Sequence, residues 1–200
     1  MEEYKIQGSG AWLEFRQSRV GASEASVCAG LNPYKTPQKL YEEKTGVRKV
    51  YSNAAMRRGT ELEPVAMSAY EYMTGNAMFP DVLIHPEREW MFASLDGYSI
   101  SRDHAVEIKC PGPKNHLKWL ECGEIDEMYQ CQMVHQMMVC GLKEMDFFSY
   151  HPDYEPFLKR YKMDDFLAEI IWDSEYEFYL CLKNKVSPDE FIVFKELAGT

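Results

Sequence analysis

The amino-acid sequence predicts an α/β (α+β) fold in which a mixed central β-sheet is flanked by helices. Two observations carry this expectation. Helix-like periodicity up to Gly75 gives way to short β-rich runs and then to helix, strand and helix in turn. A chain of 200 residues, 46% hydrophobic and 27% charged, is also long enough for a substantial core without disulfides or metals, so residues 1–200 are read as a single domain.

Taken in order, "GAWLEFRQSR" places Trp12, Phe15 and Arg19 at helical spacing. Near the start of "GASEASVCAG", Ser23 can cap a second short helix ending near Gly30. "NPYKTP" is a turn, and "PQKLYEEKTG" is a third helix with proline in its first turn and a stop at Gly46. From Asn53 to Gly75 runs the longest helix, with Met56, Leu62, Val65, Ala66, Ala69, Tyr70 and Met73 as its apolar face and Gly75 as C-cap. Pro64 disfavours helical geometry at Glu63, so a break or fresh helix start is expected there. "MFPDVLIHP", "WMFASLDGYSI" and "HAVEIKCP" read as strands of an antiparallel meander. "EMYQCQMVHQMMVCG" returns to helix and ends at Gly141, "EMDFFSYHPD" is a further strand, and a last helix covers roughly Met163 to Lys185.

Bulk properties narrow the function classes. There is no apolar run of membrane-spanning length, and the polar start "MEEYKIQGSGAW" carries no secretory pattern, so a soluble, cytoplasmic setting is expected. Cys28, Cys110, Cys122, Cys131, Cys140 and Cys181 have no zinc or iron–sulfur spacing and read as reduced, mostly buried thiols. A formal net charge of −10 argues against a generic basic DNA-coating protein, yet it leaves room for a nucleic-acid enzyme whose cations gather in one groove.

The chemistry concentrates in "SLDGYSISRDHAVEIKCPG". On a strand, Glu107 and Lys109 project to one face and Ile108 to the other, into the core. An antiparallel partner joined through a turn near Ser101 to His104 brings Asp96 to the same level. Two carboxylates so close repel unless a cation compensates, and hard oxygen donors suit Mg²⁺ or Mn²⁺. An exposed Glu-x-Lys hairpin face is the alternative. The abrupt "CPGP" and the bend allowed by Asp96-Gly97 suggest that the acidic group is held at a strand end and not buried mid-strand.

These residues resemble the Asp…Glu-x-Lys core of the PD-(D/E)XK nuclease superfamily, a restriction-endonuclease-like fold, and in particular its lambda-exonuclease or YqaJ-type viral recombinase branch. "AWLEFRQSRVGASEA" is similar to that family's N-terminal motif through Trp12, Arg16 and Ser23, "RRGTELEPVA" to its Arg-Gly-x-x-x-Glu helix through Glu63, and "YQCQMVHQMMVCG" to its glutamine helix through Gln132. The resemblance implies that Asp96, Glu107, the Ile108 carbonyl and Glu63 hold divalent metal, with two ions per site. It implies that Lys109 activates or holds the attacking water, that Gln132 positions water or phosphate, and that Arg16, Ser23 and Ser94 grip a terminal 5′-phosphate. It further implies a 5′-to-3′ exonuclease on linear double-stranded DNA ends that leaves 3′ overhangs for recombination. A ring-shaped trimer, a single-strand annealing partner and a phage or viral source complete the expectation.

Several neighbours compete for these roles. Glu61 stands two residues before Glu63, and Gln130 and Gln136 flank Gln132, which shares a helix face with Gln136. Trp12 reads as core, and His135 as a hydrogen-bonded structural group with the methionines of "MVHQMMV" around it as packing. Arg57, Arg58, Lys114 and Lys118 are cations that could follow a duplex backbone. A nick-making or internally cutting nuclease of the same fold, or a non-catalytic DNA-binding module, are the rival functions.

Overall fold

A computed structural model describes residues 9–51 and 53–189, so most of the polar start lies outside the described residues. The helices are α1 (Gly10–Gln17), α2 (Ala25–Cys28), α3 (Pro37–Lys44), α4 (Ala54–Thr74), α5 (Pro113–Cys122), α6 (Glu127–Cys140) and α7 (Asp165–Asn184). The strands are β1 (Val20–Gly21), β2 (Met78–His85), β3 (Arg88–Ser99), β4 (Ala105–Lys109), β5 (Glu144–His151) and β6 (Tyr154–Lys162). The sheet runs β1-β3-β4-β5-β6, with β2 paired to β3. Pairing of β2, β3 and β4 is antiparallel, as is that of β5 with β6, whereas β1–β3 and β4–β5 are parallel, which makes the sheet mixed. No described helix is long and apolar enough to cross a membrane.

Strand alternation sorts the core onto two faces. Val106, Ile108 and Phe148 pack with Ala66 and Tyr70 of α4 on one side. Phe147 and Met145 face the other, against Met133, Val134 and Met137 of α6 and Ile171 and Phe178 of α7. Gly75 and Gly141 end α4 and α6 in the left-handed region, where a residue without Cβ carries no penalty.

Four local expectations need correction. Asp96 lies well inside the 12-residue β3 and Glu107 is the middle residue of β4, so the acids are held mid-strand and not at a strand end. Gly97 does not bend the chain there; a Cβ on it would meet Val106 Cγ1 at 2.8 Å and Met78 Cβ at 2.9 Å, so it admits close packing beneath the acid pair. Pro64 leaves α4 unbroken, because it stands on an exposed face where water can satisfy the carbonyl that loses its partner. Ser23 caps no helix: it lies within a 3₁₀ turn, Ala22–Glu24, whose capping contact is made by Glu24 to the Gly21 N–H. Two elements also go unforeseen. α5 begins on Pro113 directly after the strand-ending "CPG", and β6 carries Pro156 and several cations, as an unpaired sheet edge tolerates.

Two polar pins hold the layers together. His135 accepts or shares a proton with Glu175 at 2.6 Å through Nδ1 and reaches the Phe92 carbonyl at 2.8 Å through Nε2, joining α6 to α7 and β3. On the other face Asp146 receives Tyr70 Oη at 2.9 Å, His104 Nε2 at 3.0 Å and Arg160 Nε at 2.7 Å. Burial pushes the Asp146 carboxyl up, but the hydrogen bonds from His104, Arg160 and Tyr70 outweigh it and hold it well below the usual carboxylate range.

Glu175→Ala strips a fully buried partner from His135 and should cost about 3–5 kcal/mol, read as a shift in the urea midpoint. Since the Asp146 carboxyl is depressed in the fold, its contribution is complete above the pKa of an unfolded aspartate, near about pH 4, and fades as pH falls toward the folded value. Asp146→Asn should therefore be less stable than the parent at neutral pH and lose less on acidification, as measured by thermal melts at a series of pH values.

Candidate active site

β3 and β4 present one shared polar face. Their register pairs Gly97 with Val106, which sets Asp96 opposite Glu107. Asp96 Oδ2 accepts the Ile108 N–H at 2.7 Å. Glu107, 1% exposed, receives Gln132 Nε2 at 2.7 Å on one oxygen and Gln136 Nε2 at 2.5 Å on the other. Lys109 forms an ion pair with Glu107 and lies over the Tyr129 ring, 5.1 Å from its centroid.

Two adjoining cavities open on this face. A small chamber of about 180 Å³ is lined by Trp12, Arg16, Ser23, Phe92, Ser94, Asp96, Glu107, Lys109 and Gln132, with Gly21 and Ala22. A wider cleft of about 600 Å³ shares Arg16, Ser23, Asp96 and Lys109 with it and adds Glu63, Arg58, Ile108, Cys110, Asn115 and Tyr129 among others. At the chamber mouth Arg16 Nη2 donates to Ser23 Oγ at 3.3 Å and to Glu24 Oε1 at 3.1 Å, while its guanidinium lies 4.5 Å from the Trp12 ring centroid. Trp12 Nε1 donates to Ser94 Oγ at 3.3 Å, which fixes the half-buried indole as a wall of the chamber.

The electrostatics follow from crowding. Burial first, and then Glu107, push the Asp96 carboxyl well above its ordinary value; desolvation and Glu107 raise Glu63 as well. Burial opposes the charge on Lys109, yet Glu107 and Asp96 outweigh it and hold the ammonium above its usual range, so it stays protonated at neutral pH.

All nine residues singled out from the sequence (Arg16, Ser23, Glu63, Ser94, Asp96, Glu107, Ile108, Lys109 and Gln132) line one or other cavity. Glu61 lines neither. Gln130 is turned away, donating to the Ile125 carbonyl and accepting from Tyr161 Oη. Gln136 holds Glu107 from the buried side and lines neither of these two cavities, and His135 is tied to Glu175. Of the four cations considered for a duplex backbone, Arg58 lines the cleft, donating Nε to the Pro111 carbonyl, whereas Lys118 is paired with Asp126. Glu24, Lys44 and Tyr129 were missed; Glu24 stands next to Ser23, but Lys44 meets it across 20 residues and has no sequence signal.

For a divalent cation the donor chemistry fits: hard carboxylate oxygens crowd together, Glu107 raising both Asp96 and Glu63, and the Asp96 carboxylate keeps one oxygen beyond the one that accepts the Ile108 N–H. No three His, Cys, Asp or Glu side chains among the described residues converge closely enough to chelate one unaided. Asp96 and Glu107 would need completion by the Ile108 carbonyl and by water.

Proteins described as exonucleases share this mixed sheet and its flanking helices. The chain is similar to LHK-Exo, an alkaline exonuclease from Laribacter hongkongensis, at 29% identity and a TM-score of 0.77 over 96% of this chain and 98% of that one. It is likewise similar to the LHK-Exo complex with dAMP, at 28% identity and a TM-score of 0.78 with the same coverage. A phage-related exonuclease from Haemophilus somnus 129PT shares the fold, with a TM-score of 0.57 at 16% identity over 84% of this chain and 96% of that one. Residues 11–143 match the model of the YqaJ-like viral recombinase domain, and the chain belongs to that family. It is also 31% identical over 175 residues to the uncharacterized protein YqaJ of Bacillus subtilis (strain 168), covering 84% of this chain; the chain spans about half the length of that relative, 54%.

Gln136→Leu leaves a buried carboxylate oxygen without its donor and should cost about 1.5–3 kcal/mol in urea unfolding. Gln132→Leu, on the chamber side where water can substitute, should cost about 1 kcal/mol or less by the same measurement.

Proposed function

We propose that the protein is a metal-dependent exodeoxyribonuclease that digests one strand of linear duplex DNA from its 5′ end and leaves 3′ overhangs for recombination by single-strand annealing. The observation that carries this reading is the joining of Arg16, Ser23 and Ser94 to Asp96, Glu107 and Lys109 in one chamber of about 180 Å³. A space of that size admits a phosphate group with its bound water, while the adjoining cleft can take the rest of the strand. A guanidinium matches phosphate oxygens in a forked geometry, which suits a chain end. The family and the likeness to an alkaline exonuclease support the nuclease class.

A divalent cation, Mg²⁺ or Mn²⁺, bound by Asp96, Glu107 and the Ile108 carbonyl would neutralise charge at the phosphate and lower the pKa of water. A second ion would depend on Glu63 and on oxygens of the DNA. The protein's own residues do the remainder. Lys109, paired with Glu107, places a positive charge beside the attacking water and the developing phosphorane. Gln132 keeps Glu107 oriented with its amide nitrogen and leaves its carbonyl oxygen to accept from water. Arg16 and Ser23 fix the strand end so that the scissile linkage meets the acid pair. Assembly as a ring-shaped trimer and action beside an annealing protein complete the proposal, on the strength of the family.

With Mg²⁺, linear duplex bearing a 5′-phosphate should lose 5′-labelled nucleotides, closed circles should survive, and Lys109→Ala should slow the reaction by about 10²-fold or more. Cutting of circles would move the protein to an internally cutting nuclease; no cleavage with any divalent metal would leave a DNA-binding module.

A further inference from the structure

The guanidinium of Arg16 is not a free surface cation. Its Nη2 is shared between Ser23 Oγ and Glu24 Oε1, which leaves Nη1 and Nε with no protein acceptor among the described residues. Glu24 in turn is anchored from behind. Its Oε2 receives Lys44 Nζ at 2.8 Å and the Gly21 N–H at 2.9 Å, and its side chain is only 9% exposed. Lys44, 5% exposed, has no freedom either: Nζ also donates to the carbonyls of Arg16 at 2.8 Å and Arg19 at 2.7 Å, where α1 ends and a cation is favoured by the exposed carbonyls. The chain Lys44–Glu24–Arg16 therefore bolts α3, the 3₁₀ turn and α1 to one another. Although burial opposes its charge, Lys44 and Arg16 hold the Glu24 carboxyl below its ordinary value, so it remains ionised across the neutral range.

We propose that Glu24 is a positioning residue that sets how Arg16 presents its guanidinium to a strand-terminal phosphate, with Lys44 as the fixed cation that keeps Glu24 in place. This rests on the reading of the chamber as the binding site for a strand end. An arginine side chain left to itself carries a large rotamer entropy that binding must quench. Glu24 removes that freedom before the ligand arrives and leaves Nη1 and Nε uncommitted on a side chain that lines the chamber. The charges of Glu24 and Lys44 also offset each other, so this cluster adds to the field of Asp96, Glu107 and Lys109 in the chamber chiefly through one guanidinium held by Ser23 and Glu24. Such an arrangement rewards a terminal phosphate over a 5′-hydroxyl end by geometry and not by total charge.

Geometry and bulk charge make opposite predictions for Glu24→Gln. That change raises the local positive charge, so a purely electrostatic role would tighten binding to every end. The test is fluorescence anisotropy in EDTA, with no chemistry taking place, on duplex hairpins carrying either a 5′-phosphate or a 5′-hydroxyl. Glu24→Gln should lower affinity for the phosphorylated end about tenfold and leave the hydroxyl end within about twofold, while Glu24→Asp should recover part of the loss. In an Arg16→Ala background, Glu24→Gln should add nothing further, which a merely structural role would not obey. Should Glu24→Gln fail to fold with Lys44 left unpaired, the double variant Glu24→Gln/Lys44→Met removes both buried charges and carries the same expectation. A parent protein that binds the two ends equally overturns the end-binding reading and this role with it. A parent that prefers the phosphate, with Glu24→Gln keeping that preference or losing affinity for both ends alike, overturns the role of Glu24 alone.

Discussion

The carboxylate of Glu107 is the point on which the site and much of the sheet depend. It is 1% exposed, in the middle of β4, where an unpaired charge would cost several kcal/mol. Three donors remove that cost: Gln132 and Gln136, one helical turn apart on α6, and Lys109, on the same strand face. The same contacts fix the rotation of α6 over the sheet, because both amides must meet one carboxylate. They also set the lysine beside the acid pair. One buried group thus couples helix packing to the geometry of the polar face.

The solution recurs elsewhere. Glu24, Asp146 and Glu175 are also acids buried below one tenth exposure; Glu24 and Asp146 are met by cations together with further hydrogen bonds, whereas Glu175 meets the His135 imidazole through one oxygen and its Oε2 has no partner among the described residues. Their placement is orderly. Glu24 ties α1, the 3₁₀ turn and α3 to one another, Glu175 joins α7 to α6, and Asp146 joins β5 to β6, to α4 and to the β3–β4 turn. Apolar layers give the bulk of the stability, while these pairs specify register and orientation where hydrophobic contact is indifferent to small rotations. A chain with a net charge of −10 can carry a nucleic-acid site on this plan. Its exposed acids stay in water and its buried ones are compensated locally, so the chamber keeps its own field.

Much of the fold was legible because periodicity and caps report directly on local structure. The long α4, the meander of β2 to β4 and the glycine stops at Gly75 and Gly141 all follow from short-range chemistry. What failed has physical causes. β6 lacks the apolar run of a central strand because it is an edge with Pro156 and several cations, and α5 hides behind a Pro-Gly-Pro sequence that reads as a stop. Pro64 was given too much weight, since a proline on a solvated helix face loses a hydrogen bond that water replaces.

For the candidate site, the sequence by itself determined the acid–lysine face. The spacing of Glu107 and Lys109 puts them on one side of a strand, and the turn between β3 and β4 brings Asp96 level with them. Both are short-range constraints. Tertiary structure alone decided which glutamines meet Glu107, that Glu63 and not Glu61 lines the cleft, and that Arg16 is held by Glu24 and Lys44. Those choices depend on how separate helices are rotated and docked, and that is set by the packing of the whole core, which no local pattern in the chain encodes.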